Sequence, residues 1–535
     1  MRNISFFLAS CVLLIGIGGA RSQTPPPKVK FNFAYKGDLK SLDPYTLKES
    51  FAIAMHSAVY ETLISRDKDL RIAPGLAESW ETLEPTRWRF KLRRNVKFHD
   101  GADFTADDVI FSATRVRAPG SNFKTNIPED AEFVKVDDHT VDMLLKKPNP
   151  IAINQFNSWF IMSKTWSEKN SSTTPAAVGA TTSNHATLNA NGTGPFSVSE
   201  HLPGVRTVFK RNASYWDKID SNLDEATLHT IENDATRVAA LLSGDVDWID
   251  PVPSQDVQRI QSSGKAVVLA GPELRTIYIG MDQYRDELKY SDVMGSNPFK
   301  DIRVREAFFR AIDEDAIVNK VMRGDATATA LLIAPSLYSR STEFKRPGHD
   351  PLRAKALLSE AGFPNGFSLV MDCASDRYVN GEAICQAVVS MLSRVGIKIT
   401  LNSQPKAKFF TKVLAPAYDT SFYLLSWMPS SLDAHNVLYE VMGCRMGTTG
   451  GRGSWNVGNY CNPNLDKITD TIELETDISK RDALIKDAFQ TIISDWGVIP
   501  LHQQSIAWGV SKNVSLVQRP DNELLLYWVV KKNEM

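Results

Sequence analysis

KFHDGADFTADDVIFS, residues 97–112, places His99, Asp100, Asp103, Asp107 and Asp108 within ten positions. That density invites a metal site or an acid–base pair. The order of the residues favours a scaffold. Thr105 precedes a helical pattern and Asp108 follows three places later, a capping box with a shorter acid than the usual Glu. Asp107 and Asp108 fall in the first turn, where the helix dipole favours anions. His99-Asp100-Gly101 has the composition of a turn between a strand and this helix. There is no EF-hand spacing and no H-x-x-x-H.

Outward from this stretch, the chain alternates strands and helices. Trp88 to Leu92 alternates strictly, Val29 to Tyr35 reads as a strand, and Thr140 to Lys146 is a looser one. SFAIAMHSAVYETLIS (50–65) has helical spacing, with Ala54, Ala58 and Leu63 inward. Residues 163–191, rich in Ser, Thr, Asn and Ala, suggest loop with short helices. Further on, Val304, Ala307, Phe308, Ala311 and Ile312 form a helical stripe. Asp350-Pro351 opens a helix and Gly362 closes it. Ser368 to Met371 is a strand, Glu382 to Val395 a helix ending at Gly396, and Ile397 to Leu401 a strand. Residues 480–496 form another helix before a final strand. The pattern predicts α/β units with mixed sheets and no internal repeat.

A chain of 535 residues exceeds one ordinary core and predicts two or three structural units. Its formal net charge of −1 gives no reason to expect nucleic acid as a partner. Arg2, the apolar run Ile4 to Ile17 and Ala20-Arg21-Ser22 read as a signal peptide over residues 1–22. Leu8-Ala9-Ser10-Cys11 fits a lipobox, but the apolar run continues past it, so a lipid anchor at Cys11 is not expected. The mature chain is expected to be exported and soluble. Four cysteines then remain, Cys373, Cys385, Cys444 and Cys461. Of three possible pairings, the local bridges Cys373–Cys385 and Cys444–Cys461 are favoured. The rival, a four-cysteine zinc site, lacks any C-x-x-C.

The residues already quoted also carry a resemblance. PGLAESWE (74–81), WRFKLRRNVKFHDGADFTADDVIFS (88–112) and NGTGPF (191–196) resemble the solute-binding proteins of peptide-type ABC importers, a three-lobed family serving peptides, nickel chelates, opines and some sugars. DPY (43–45), VYETL (59–63), RNASYWD (211–217), ATRVAALLSGDVDWID (235–250), DIRVREAFFRAID (301–313), AKALLSEAGF (354–363) and IPLHQQ (499–504) extend it over nearly the whole mature chain. The resemblance implies a three-lobed α/β periplasmic-binding-protein-like fold. Lobe I spans 28–72, 193–278 and 496–535; lobe II is the insertion 73–192; lobe III is 279–495. Hinge crossings are expected near Tyr278-Ile279-Gly280 and Pro500-Leu501. A solute would bind between lobes I and III and be delivered to a membrane permease driven by an ATPase. The expected protein is a periplasmic monomer without cofactor or metal, and not an enzyme.

The same resemblance suggests a ligand site. Relatives place an aromatic residue and an acid in the segment matching LLSWMPSSLDAHN (424–436). Trp427 matches the aromatic, as a flat apolar wall. The acid that meets a peptide's α-ammonium falls on Ser430, which cannot offset the desolvation of a cation. Glu49 is the first candidate replacement and Asp433 the second. Arg377 and Tyr378, between a strand and a helix, match an Arg-Tyr facing the cleft, and a guanidinium suits a ligand carboxylate. A bridge between Cys373 and Cys385 would fix the base of that loop. Gly192-Thr193-Gly194-Pro195 leads into a strand, which argues against a phosphate cradle. GTTGGRGSWNVGN (447–459) reads as a flexible loop. No G-x-S-x-G elbow occurs, and the nine histidines are scattered. Peptide uptake leads, import of another solute follows, and an exported hydrolase is the third reading.

Overall fold

The computed structural model describes residues 28–176, 184–446 and 451–532. The residues read as a signal peptide, Cys11 among them, lie outside the described ones. So do short parts of the two segments read as loops.

One mixed eleven-stranded sheet runs through the molecule. From one edge its order is Lys398–Gln404, Ser368–Ala374, Phe422–Trp427, Ala266–Met281, Ile499–Ser511, Trp248–Asp250, Lys30–Tyr35, Glu225–Thr230, Arg206–Arg211 and Phe196–Leu202; Ala326–Ala328 pairs off this path with Ile499–Ser511. The two longest strands, Ala266–Met281 and Ile499–Ser511, pair with each other from Ala266–Ser511 to Ile279–Ile499. Beyond them, on either side, lie two halves with separate cores. One centres on Phe31, Phe33, Trp159 and Trp248. The other centres on Phe299, Phe308, Met371 and Phe422. The ladder between the long strands is irregular between Pro272 and Thr276 and again between Ile277 and Tyr278. The wider break, at Glu273-Leu274-Arg275, precedes the crossing expected at Tyr278–Gly280.

A four-stranded antiparallel sheet, ordered Ala77–Glu84, Arg87–Leu92, Thr140–Leu144 and Glu132–Asp137, stands apart. Trp88, Phe90 and Leu92 are buried on one face, as their alternation predicts. Helix Ala106–Arg117 packs against it through Val109, Ala113 and Val116. Each polar group of the opening stretch has a partner. The Thr105 amide donates to Asp108 Oδ2 at 2.9 Å, and the Lys164 amide donates to Oδ1 at 2.9 Å. Asp107 pairs with Lys135 and Asp103 with Lys97, both at 2.7 Å. His99 Nε2 lies 2.9 Å from the Gly194 carbonyl, and Gly101 turns the chain at φ +90°.

Most predicted elements form. Asp350 caps helix Pro351–Glu360 by accepting from the Arg353 amide at 2.9 Å. Gly362 and Gly396 end their helices at φ +94° and +95°. The helix read over 50–65 stops at His56. Ala54, Ala58 and Leu63 are buried as expected, but the carbonyls of Ala58 and Val59 accept instead from Phe196 and Gly194. Long-range pairing overrides local propensity there. It also explains Gly192 and Gly194, where a Cβ would stand 2.0 and 2.6 Å from the Val59 backbone. Close approach, not phosphate, requires these glycines. Both local disulfides, Cys373–Cys385 and Cys444–Cys461, are present.

Candidate ligand site

Strand Phe422–Trp427 ends where it pairs with Thr276, just past the ladder break. Trp427 is 8% exposed, and its Nε1 donates to Asn436 Oδ1 at 3.0 Å. Its ring packs on Trp455 with centroids 5.3 Å apart. Trp455 comes from the segment read only as a flexible loop, so the aromatic wall is wider than the sequence suggests. Ser430 follows in a turn; its Oγ accepts from Asn436 Nδ2 at 3.4 Å. The same amide nitrogen donates to Glu440 Oε1 at 2.7 Å. Asn436 thus ties Trp427, Ser430 and Glu440 together. Glu440 sits in the π-helical turn Val437–Val441, a distortion common at functional sites.

Asp433 is not free to hold an amine. It caps the turn by accepting from the His435 amide at 2.8 Å, and Arg481 holds both of its oxygens, at 2.7 and 3.1 Å. Glu49 is exposed at the N-cap position of helix Ser50–His56, with no side-chain cap bond. It lies close enough for its charge to act on Arg377. Glu440, missed by sequence reading, is half-buried. Burial pushes its carboxyl up, against the pull of the Lys48 charge and the Asn436 bond. Lys48 precedes Glu49 in sequence, and its ammonium donates to Thr125 Oγ1 at 3.0 Å.

Arg377 and Tyr378 lie in the loop between strand Ser368–Ala374 and helix Gly381–Ser393. The Cys373–Cys385 bridge spans the base of this loop. The guanidinium lies 5.4 Å from the Tyr378 ring centroid and forms no ion pair among the described residues. Burial and then the charge of Arg275 hold it below its ordinary pKa range. The adjacent residues Lys48 and Glu49 thus lie within reach of the charges of Glu440 and Arg377 respectively, of opposite sign in each case. Neither couple closes into an ion pair.

A second polar cluster occupies the ladder break. Arg275 joins Glu273 at 3.1 Å and Ser426 Oγ at 3.1 Å. Gln504 donates to Glu273 at 3.4 Å and accepts from the Val379 amide at 3.4 Å. These bonds link both long strands to the Arg377 loop. Asp250, 8% exposed, lies nearby, and burial pushes its carboxyl up to about 7, against Lys36 and with Glu273. None of these residues carries a local sequence signal, because their partners are distant in the chain.

The model of the bacterial extracellular solute-binding proteins, family 5 (Middle), matches residues 71–448. The chain belongs to this family. Its role is solute binding outside the cytoplasm. The glutathione-binding protein GsiB of Shigella flexneri is 26% identical over 494 residues, 90% of each chain. The periplasmic binding protein DppA of Helicobacter pylori, solved with peptide STSA, superposes with a TM-score of 0.80 at 21% identity, covering 94% of this chain and 98% of that one. AgaA of A. tumefaciens R10, solved with agropinic acid, gives 0.77 at 23% identity, covering 95% and 99%. These overlaps establish the three-lobed periplasmic-binding-protein fold. Among the described residues no helix is long and apolar enough to cross a membrane.

Proposed function

We propose that the protein captures a small peptide-like zwitterion between lobes I and III and delivers it to an ABC permease driven by an ATPase. One observation carries this reading. Glu440 is tied to the Trp427–Trp455 wall through Asn436 and Arg377 stands in the disulfide-closed loop; both are half-buried, opposite in charge and in no ion pair among the described residues. A buried charge without a partner is costly, so each favours a ligand group that completes it. Arg377 would take a carboxylate and Glu440 an ammonium. Tyr378 and the Trp427–Trp455 pair would bound the space between them. Glu440 then does what Ser430 cannot, and Glu49 and Lys48 tune the field from lobe I. The lobes would span 28–72 with 193–278 and 496–535, 73–192, and 279–495. They would hinge at the crossings Tyr278-Ile279-Gly280 and Pro500-Leu501, next to the ladder irregularities of the two long strands. No bond is made or broken in this cycle. The ligands named for GsiB and the H. pylori DppA support a peptide-like solute.

A second reading, import of a non-peptide solute, draws on Ser430 and on the agropinic acid bound to AgaA. Native mass spectrometry of protein purified from its exported compartment separates the two. Release of a ladder of peptide masses supports the first reading, and Glu440→Gln should then weaken a free-amine peptide but not its N-acetyl form. A single non-peptide mass replaces it with the second.

A further inference from the structure

A cavity of about 310 Å³ lies away from the Trp427 wall, bounded by strand Ile64–Arg66, the segment 215–220 and the C-terminal segment 519–528. Every contribution to its wall comes from residues before 221 or after 518, so it is built without any residue of lobe III. It approaches the first site at its rim, where Asn157 Nδ2 donates to the Ser430 carbonyl at 3.5 Å and the Asp433 charge acts on Arg66.

Most charges around this cavity are already engaged. Arg519 is buried against Asp521 and Glu523. Lys68 pairs with Asp220 at 2.9 Å on the rim. Asp67 accepts the amides of Asp69 and Arg71, both at 2.9 Å. Two groups differ. The Glu61 carboxylate accepts from Tyr215 Oη at 2.7 Å and from Trp216 Nε1 at 2.9 Å, both neutral donors. It meets no cation among the described residues. The Arg66 guanidinium donates to the Leu70 carbonyl at 3.2 Å and to Asn154 Oδ1 at 3.3 Å, both neutral acceptors. It meets no carboxylate in an ion pair among the described residues. The neutral bonds fix both groups in orientation and close no ion pair, although the charges of Asp433, Asp521 and Asp67 act on Arg66. Aromatic rings of Tyr60, Phe160 and Trp216 complete the wall.

We infer that this cavity is a second binding site, for a small zwitterion of the free α-amino acid class, with Glu61 receiving the ammonium and Arg66 the carboxylate. One molecule carrying both charges satisfies both groups at once, which neither a simple anion nor a simple cation can do. The volume is at the small end for ligand pockets, about 300–1,000 Å³, which suits an amino acid rather than a longer peptide. The aromatic walls favour an apolar side chain. The site is independent of which solute occupies the Arg377 cleft.

The test uses the whole protein, stripped of bound solute by partial unfolding and refolding. It is titrated calorimetrically with leucine, phenylalanine, leucinamide and N-acetyl-leucine. Wild type should bind leucine or phenylalanine and should bind the amide and the acetyl form at least tenfold more weakly. Arg66→Met should abolish the distinction between leucine and leucinamide, and Glu61→Gln that between leucine and N-acetyl-leucine. A merely misfolded variant would not lose one distinction and keep the other. Trp427→Ala should leave leucine binding unchanged. Absence of binding to wild type, binding indifferent to both substitutions, or binding lost in Trp427→Ala would each overturn the inference.

Discussion

The opening stretch at 97–112 and the cleft segment at 427–440 are both dense in polar groups, yet they end differently. In the first, Asp103, Asp107 and Asp108 each meet a cation or backbone amides within their own lobe. In the second, Asp433 is engaged by Arg481, but Glu440 and, in the loop after Ala374, Arg377 close no ion pair among the described residues, although the charges of Lys48 and Glu49 act on them. Polar density by itself therefore says little about function. What distinguishes a binding site is an oriented charge whose partner the fold does not supply.

Substitutions test that contrast. The largest effect should come from Asp43, whose carboxylate meets Arg115 at 2.6 and 2.9 Å with both side chains fully buried. Asp43→Ala should destabilise by about 3–5 kcal/mol in urea melts, because it strands a buried guanidinium. A loss below about 1 kcal/mol would mean that the scaffold charges are less tightly coupled than their geometry implies.

Asp250 sharpens the comparison through pH. Its folded-state pKa of about 7 lies above the ordinary carboxylate value. The protonated form is favoured by the fold, so this contribution is complete at low pH and is lost as pH rises through about 7. Asp250→Asn should gain on wild type by about 2–4 kcal/mol between pH 4 and pH 8. Parallel stability profiles for the two proteins would refute the assignment.

Arg377→Ala should act on affinity rather than stability. Calorimetry with an anionic ligand should show a loss of about 1.5–3 kcal/mol, the size of a charged hydrogen bond, while the melting temperature holds. Unchanged affinity would remove Arg377 from the site. The smallest effect belongs to Asp108→Ala, about 1 kcal/mol of stability from a lost cap, with no change in affinity. A change in binding there would contradict the scaffold reading of the opening stretch.

Much of the fold was legible because its signals are local. Asp350-Pro351 and Gly362 mark one helix within thirteen residues, and the alternation from Trp88 to Leu92 marks one face of a sheet. The 50–65 helix was misread past His56 because its end is set by Gly194 and Phe196, more than a hundred residues away. The site was legible only in part. Trp427 sits at a strand end against Trp455, Arg377 lies in the loop closed by the Cys373–Cys385 bridge, Tyr378 packs into the core beside it, and Asp433 is engaged by Arg481. Glu440 is visible only once Asn436 turns back on Trp427, and Asp250 only once burial changes its chemistry. Glu61 and its donors Tyr215 and Trp216 are separated by more than 150 positions.

The pairing of Ala266–Met281 with Ile499–Ser511 also governs how the protein is made. The strand Trp248–Asp250 likewise finds one neighbour at Gly509 and Val510. A chain emerging N-terminus first from a narrow channel cannot complete its central sheet until residue 511 has passed. Early segments must wait through residues 282–498 with those edges open. Maturation is thus timed by the strand Ile499–Ser511, and a truncation just before Ile499 would leave an unclosed sheet rather than a smaller binding protein.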